Sequence, residues 1–187
     1  MELSEEEIQK FWEEKLANEA YFRRLSADEV EYKKKDKSFF TNLNIQWCTE
    51  VSEIDTAFLF EDRKFTLLDA DIFFDAYTIV NINIDRVLNF LFDDASFIER
   101  RYSKTKLWDQ TDRENYKYTK LLNYINDGQA LCPPILSYRK NEFSDGKLVF
   151  SIIDGNHRTA FSRYIGLQEI NFLIHKNDWK NLKLHLE

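Results

Sequence analysis

The run Leu148-Val149-Phe150-Ser151-Ile152-Ile153 is almost uninterrupted apolar sequence, and it stops abruptly at Asp154-Gly155-Asn156. A short run of this kind, bounded by turn residues, reads as a strand buried on both sides. Directly after the break, Thr159, Ala160, Phe161, Tyr164 and Ile165 follow helical spacing as far as Gly166. Glycine there suits the left-handed cap that ends a helix. Glu169 to Ile174 then reads as a further strand. Any fold of this chain must therefore start a helix at the end of a buried strand.

Upstream, Cys132-Pro133-Pro134 introduces a short strand over Ile135 to Arg139, and Ser144-Asp145-Gly146-Lys147 marks a turn between the two strands. The order strand, strand, helix, strand predicts an α+β fold, a mixed sheet with flanking helices. Thr78 to Ile84, rich in β-branched residues, adds a strand. Asp93-Asp94 open a charged helical stretch, and Tyr116 to Ile125 forms a helix stopped by Asn126-Asp127-Gly128. Ala57 to Phe60 and Phe65 to Leu68, flanking Glu61-Asp62-Arg63-Lys64, read as a hairpin. Ser4 with Glu7 and Ser26 with Glu29 are capping boxes. They predict two N-terminal helices, the first carrying an apolar stripe of Ile8, Phe11, Trp12, Leu16 and Ala20. The second ends in Lys33-Lys34-Lys35, read as a solvated helix end, and Asn177 is placed as the cap of a last helix. The expected organisation is an N-terminal extension of helices and hairpin over residues 1–75, followed by the main domain over residues 76–187.

With 43% hydrophobic and 32% charged residues, the chain has the material for one soluble core. A net charge of −7 lowers the expectation of a non-specific nucleic-acid binder, which usually carries a basic face. No apolar run approaches the roughly 20 residues needed to span a bilayer, and the acidic start does not resemble a secretory signal. Cys48 and Cys132 stand far apart with no metal-binding spacing, so neither a zinc site nor a disulfide framework is expected, and the simplest location is a reducing cytoplasm.

The chemistry concentrates at the break after the strand. A helix start presents backbone N–H groups and the positive end of its dipole, which together attract an anion. Gly155 permits close backbone approach. Arg158 can fork two phosphate oxygens, and His157 can donate to phosphate or carry a proton. Asp154 can hold a divalent metal or act as a base, so Asp154 and His157 are the catalytic candidates. Gly155, Asn156, His157, Arg158 and Thr159 are the ligand-binding candidates. Cations at a helix N-terminus cost a few tenths to about 1 kcal/mol, which implies an anion that offsets them. Against this, Asp154 and Asn156 are ordinary helix-entry residues, and Arg158 can simply pair with a carboxylate. His175 and His185 have no local partners of the metal-ligand kind. A Fic-type loop fits only superficially, because its catalytic histidine would fall at Phe150 and its arginine at Thr159.

The pattern resembles the ParB/sulfiredoxin superfamily over roughly residues 78–176. The similar pieces are Val80 to Val87, Leu121 to Gly128, Pro134-Ile135-Leu136, the Gly155-x-x-Arg158 box and the exit strand Gly166 to Ile174. The resemblance implies a nucleotide-phosphate site in which Gly155 is the box glycine and Arg158 contacts phosphate. Mg²⁺ with a nucleoside triphosphate would be the cofactor pair, Asp154 the metal ligand, and metal-dependent hydrolysis or phosphotransfer the reaction. Asn156 stands where sulfiredoxins have their catalytic cysteine and partition proteins a glutamate, so sulfinic acid reduction is not expected. Too few residues follow Ile174 for the DNA-reading domain of partition proteins. The alternatives are a plasmid- or phage-type DNA-binding regulator or nuclease, and a non-catalytic module recruiting a protein partner through residues 1–75.

Overall fold

The computed structural model describes residues 5–54, 75–91, 95–108, 115–140 and 148–186. Four strands form one mixed sheet: β1 (Tyr77–Asn83), β2 (Ile135–Lys140), β3 (Leu148–Asp154) and β4 (Glu169–His175). Seven α-helices accompany it among the described residues, with one 3-10 turn at Val51–Glu53: α1 (Glu5–Lys33), α2 (Lys37–Thr41), α3 (Ile84–Asn89), α4 (Ala95–Arg101), α5 (Asn115–Asn126), α6 (Asn156–Ile165) and α7 (Lys176–Leu186). The strand order is β1-β4-β2-β3. β1 and β4 pair antiparallel, as do β2 and β3, while β2 and β4 run parallel. The architecture is α+β, as the order of apolar runs and breaks implies.

The sheet separates two apolar clusters, because side chains alternate between faces along each strand. Ile82, Leu136, Phe150, Ile152, Ile170, Phe172 and Ile174 enter the larger one with residues of α3, α5, α6 and α7. Phe150, Phe161 and Phe172 are fully buried there, each removing a large apolar surface from water. Ile135, Leu173, Cys48, Cys132 and Ile54 form the smaller cluster on the other face. The loop around Cys48 covers that face, its carbonyl accepting a 3.1 Å hydrogen bond from Asn171 Nδ2. Phe40 of α2 packs edge-on against Phe161 and Tyr164 of α6. Residues before position 55 thus contribute directly to the core around α6.

Three expectations change. The two N-terminal helices are one continuous α1, because no Gly or Pro interrupts residues 5–33. Ser26 sits inside it and donates back to Phe22 O at 2.9 Å instead of capping a new start. Of the expected stripe, the side chains of Ile8, Phe11 and Trp12 lie outside the described residues, and Leu16 is 63% exposed; the buried contact of α1 is Leu25, with Asp28 and Tyr32 on its face. Half of that contact is polar: Asn123 Nδ2 donates to Asp28 at 2.9 Å, and Tyr32 donates to Asn123 Oδ1 at 2.8 Å. Finally, α7 begins at Lys176, and its cap is the His175 ring, whose Nδ1 accepts from Asn177 N at 3.2 Å. The expected hairpin over residues 57–68 and the turn at 144–147 lie outside the described residues.

A charged network fixes α6 against α3 and α4. Arg163, with a side chain only 10% exposed, donates to Asp85 at 2.9 Å, to Glu99 at 3.1 Å and to Tyr102 O at 2.7 Å. Lys104 reaches the other Asp85 oxygen at 2.8 Å. The Lys104 hydrogen bond, and then those of Arg163, hold the Asp85 carboxyl below its ordinary range against some desolvation. A lowered carboxylate pKa means stabilisation present above the unfolded value of about 3.9 and lost as pH falls through the folded one. Because Asp85 is half exposed, solvent screens the pairs to about 0.2–1 kcal/mol each. Asp85→Asn should therefore lower Tm at pH 7 by a few degrees, with the difference from the parent shrinking below about pH 4. Thermal denaturation across pH measures this.

Candidate functional site at the β3–α6 turn

The turn is built by a bulge and a glycine. Ile135 pairs with Asp154 but Leu136 pairs with Ile152, so Ile153 is the extra residue on β3. A bulge bends the strand and redirects the chain beyond it, and this one sets Asp154 beside Ile135 at the end of the strand. Gly155 then takes φ +82°, ψ 19° and acts as N-cap without any side-chain cap bond. A Cβ there would lie 2.7 Å from Pro134 Cα and 2.9 Å from an Arg158 Nη atom. The first bond of the helix runs from Thr159 N to Gly155 O at 3.0 Å. The amides of residues 156–158 therefore precede the helical ladder.

The predicted site residues all gather here, but their side chains divide into two groups. Arg158 is buried, with a side chain 8% exposed, and its guanidinium donates to Asp154 Oδ2 at 2.6 Å. Asn156 Oδ1 accepts from the buried Tyr102 hydroxyl at 2.5 Å, while its Nδ2 donates to Ile152 O at 3.2 Å. The Thr159 hydroxyl, fully buried, returns to Gly155 O at 3.1 Å. These three side chains bind the turn to its own scaffold. Asp154, 40% exposed, and His157, half-buried, are the more accessible of the five.

The charge balance at the helix start thereby differs from the sequence expectation. The anion that offsets Arg158 at the helix N-terminus is the carboxylate of Asp154, four residues earlier. A buried arginine with its own carboxylate thus supports the turn from within. His157 is held edge-to-face against Tyr118 at 4.9 Å, and Tyr118 meets Trp108 the same way at 5.8 Å. This row holds the imidazole plane against Tyr118. Among the described residues, no three His, Cys, Asp or Glu side chains cluster to hold a metal. No described helix is long and apolar enough to cross a membrane. A groove of about 260 Å³ between α1 and α5, lined by Tyr21, Arg24 and Lys120 among others, shares no residue with the turn.

Tyr102 is the contributor that the sequence did not reveal. It lies 54 positions from Asn156, just past α4, and no spacing rule links the two. The Asp154–Arg158 pair did carry a signal, since opposite charges four apart across a helix start fall on one face.

No family model matches the chain, and no curated protein matches it. Among solved structures, it is similar to the crystal structure of the Oncogenic Suppression Activity protein, a plasmid fertility inhibition factor, with 13% identity and a TM-score of 0.39. The match covers 59% of this chain and 56% of that one, so it spans little more than half of that protein.

The close approach of Pro134 gives a controlled test. Gly128 also has positive φ, +71°, but a Cβ there meets nothing within 4 Å. Gly128→Ala should cost about 1–2 kcal/mol, the left-handed penalty alone. Gly155→Ala adds a clash with backbone and should cost roughly 1–3 kcal/mol more. Chemical denaturation of the two variants reads the difference.

Proposed function

We propose that the β3–α6 turn binds the phosphate of a nucleotide, in a ParB/sulfiredoxin-like protein. The observation that carries this reading is the start of α6 at Gly155, a left-handed N-cap with no side-chain cap bond, with the half-buried His157 two residues on. A phosphate oxygen there would accept backbone N–H bonds and sit on the positive end of the α6 dipole. His157 would add a charged or neutral donor from the side. Arg158 would act from beneath, its charge felt through the amides it supports and its position fixed by Asp154.

The elements that the superfamily resemblance leads one to expect occur in that order, β1, α3, α5, β2, β3, α6 and β4, with α4 inserted between α3 and α5. Asp154 is the one carboxylate of the turn, and a divalent ion carried in with the phosphates would meet its exposed oxygen first. Hydrolysis by such an ion is the catalytic extension of this reading, with Asp154 and His157 as the reacting groups. The chain's acidic charge favours a soluble nucleotide over polymeric nucleic acid as the phosphate source.

Thermal shift assays with ATP, CTP and GTP, with and without Mg²⁺, test the reading. A ligand at a hundredfold excess over Kd should stabilise the fold by about 2.7 kcal/mol. His157→Ala should keep the fold and weaken the shift, whereas Arg158→Ala should lower stability even without ligand. No shift from any of the three at millimolar concentration would contradict the proposal.

A further inference from the structure

The topology brings the two cysteines together. Trp47 and Leu131 form a parallel bridge, with Cys48 N donating to Leu131 O at 3.0 Å and Leu131 N donating to Gln46 O at 2.7 Å. Trp47 and Leu131 both turn toward the larger core. Cys48 and Cys132, one position further along each strand of the bridge, both enter the smaller cluster on the opposite face. That division is the alternation expected of paired extended backbone. Residues one step beyond a parallel bridge stand across from one another, and paired strands lie about 4.7–4.9 Å apart. A disulfide accepts Cα separations of about 4.4–6.8 Å. Both residues are 5% exposed, and both are in the thiol form. Each thiol makes a weak contact with a carbonyl, Cys48 with Glu53 O at 3.8 Å and Cys132 with Pro133 O at 3.6 Å.

We propose that Cys48 and Cys132 are a redox pair that closes into a reversible intramolecular disulfide when the chain meets a small disulfide oxidant such as oxidised glutathione. The thiolate of one cysteine attacks a glutathione sulfur, forming a mixed disulfide and releasing one glutathione thiol. The second cysteine gives up its proton, attacks the protein sulfur of the mixed disulfide and releases the second glutathione. Two protein thiols are oxidised to one disulfide, and one glutathione disulfide is reduced to two thiols. Burial, and then the nearby Glu53 carboxylate, raise the Cys48 thiol pKa, so exchange is slow and passes through opening of the loop at residues 46–54. The bond would tie that loop to the Cys132-Pro133-Pro134 segment, whose Pro134 packs against Gly155. The bridge geometry carries this pair independently of the phosphate reading.

The test equilibrates the full chain for hours in glutathione buffers from reduced to oxidised, then alkylates under denaturing conditions and maps peptides by mass spectrometry. The expected result is a Cys48–Cys132 link lighter by two hydrogens, within one chain, reversed by dithiothreitol. The oxidised protein should melt several degrees higher, because the link closes a long loop in the unfolded chain. Cys48→Ala and Cys132→Ala should abolish both the link and the shift. Recovery of both cysteines alkylated, or only as glutathione adducts or links between chains, overturns the proposal. So does an intramolecular link that lowers Tm, since the native geometry would then have been distorted to make it. The parent protein's map decides the matter even if a variant fails to fold.

Discussion

Where β3 passes into α6, the backbone of Gly155 lies against Pro134 so closely that a Cβ would stand 2.7 Å from the proline Cα, at a φ of +82°. Both conditions select glycine, one by space and one by conformation. The contact joins two elements that the sheet already relates, since Pro134 leads into β2 and Gly155 comes directly after its neighbour β3. Pro134 O also accepts from Leu173 N at 2.8 Å, which ties the same point to β4. The start of α6 is therefore fixed by three strands at once. That fixed start is what holds a set of amides at one place.

The fixed start also dictates the charge at the turn. With Gly155 admitting no side chain, the Arg158 guanidinium fills the space beneath, and Asp154, re-aimed by the bulge at Ile153, closes onto it at 2.6 Å. A cation at a helix N-terminus is unfavourable on its own, and a buried one more so. The carboxylate offsets both. Asn156 and Thr159 complete the arrangement by committing their side chains to Ile152, Tyr102 and Gly155. With Arg158, Asn156 and Thr159 committed to the scaffold, the proposed recognition would fall to backbone N–H groups and to His157. Such a surface suits a phosphate, whose oxygens accept from several amides without demanding a particular side chain.

Much of this was legible in the sequence because local signals and global fold agree there. The apolar run ending at Ile153, the break at Gly155 and the stop at Gly166 each have a local cause, and they place β3, α6 and the turn correctly. What was not legible depended on long-range geometry. The pairing of Tyr102 with Asn156 and the sharing of one cluster by Cys48 and Cys132 depend on tertiary packing, which no spacing encodes. The N-terminal helix shows the opposite failure: Ser26-x-x-Glu29 carries a capping signature, yet a chain without breakers continues through it, and the serine bonds backward. Its packing face, Leu25 with Asp28 and Tyr32, is half polar and so escapes a search for apolar periodicity.

On this account the amides leading into α6 receive a phosphate. Proton–nitrogen correlation NMR of the uniformly labelled protein, titrated with nucleoside triphosphate and separately with inorganic phosphate, probes those amides one by one. Saturable shifts are expected, largest at Asn156, His157 and Arg158, with smaller changes at Tyr118, whose ring packs edge-to-face with His157. Shifts confined to another surface, such as the groove between α1 and α5, or none at the turn at saturating ligand, would contradict it.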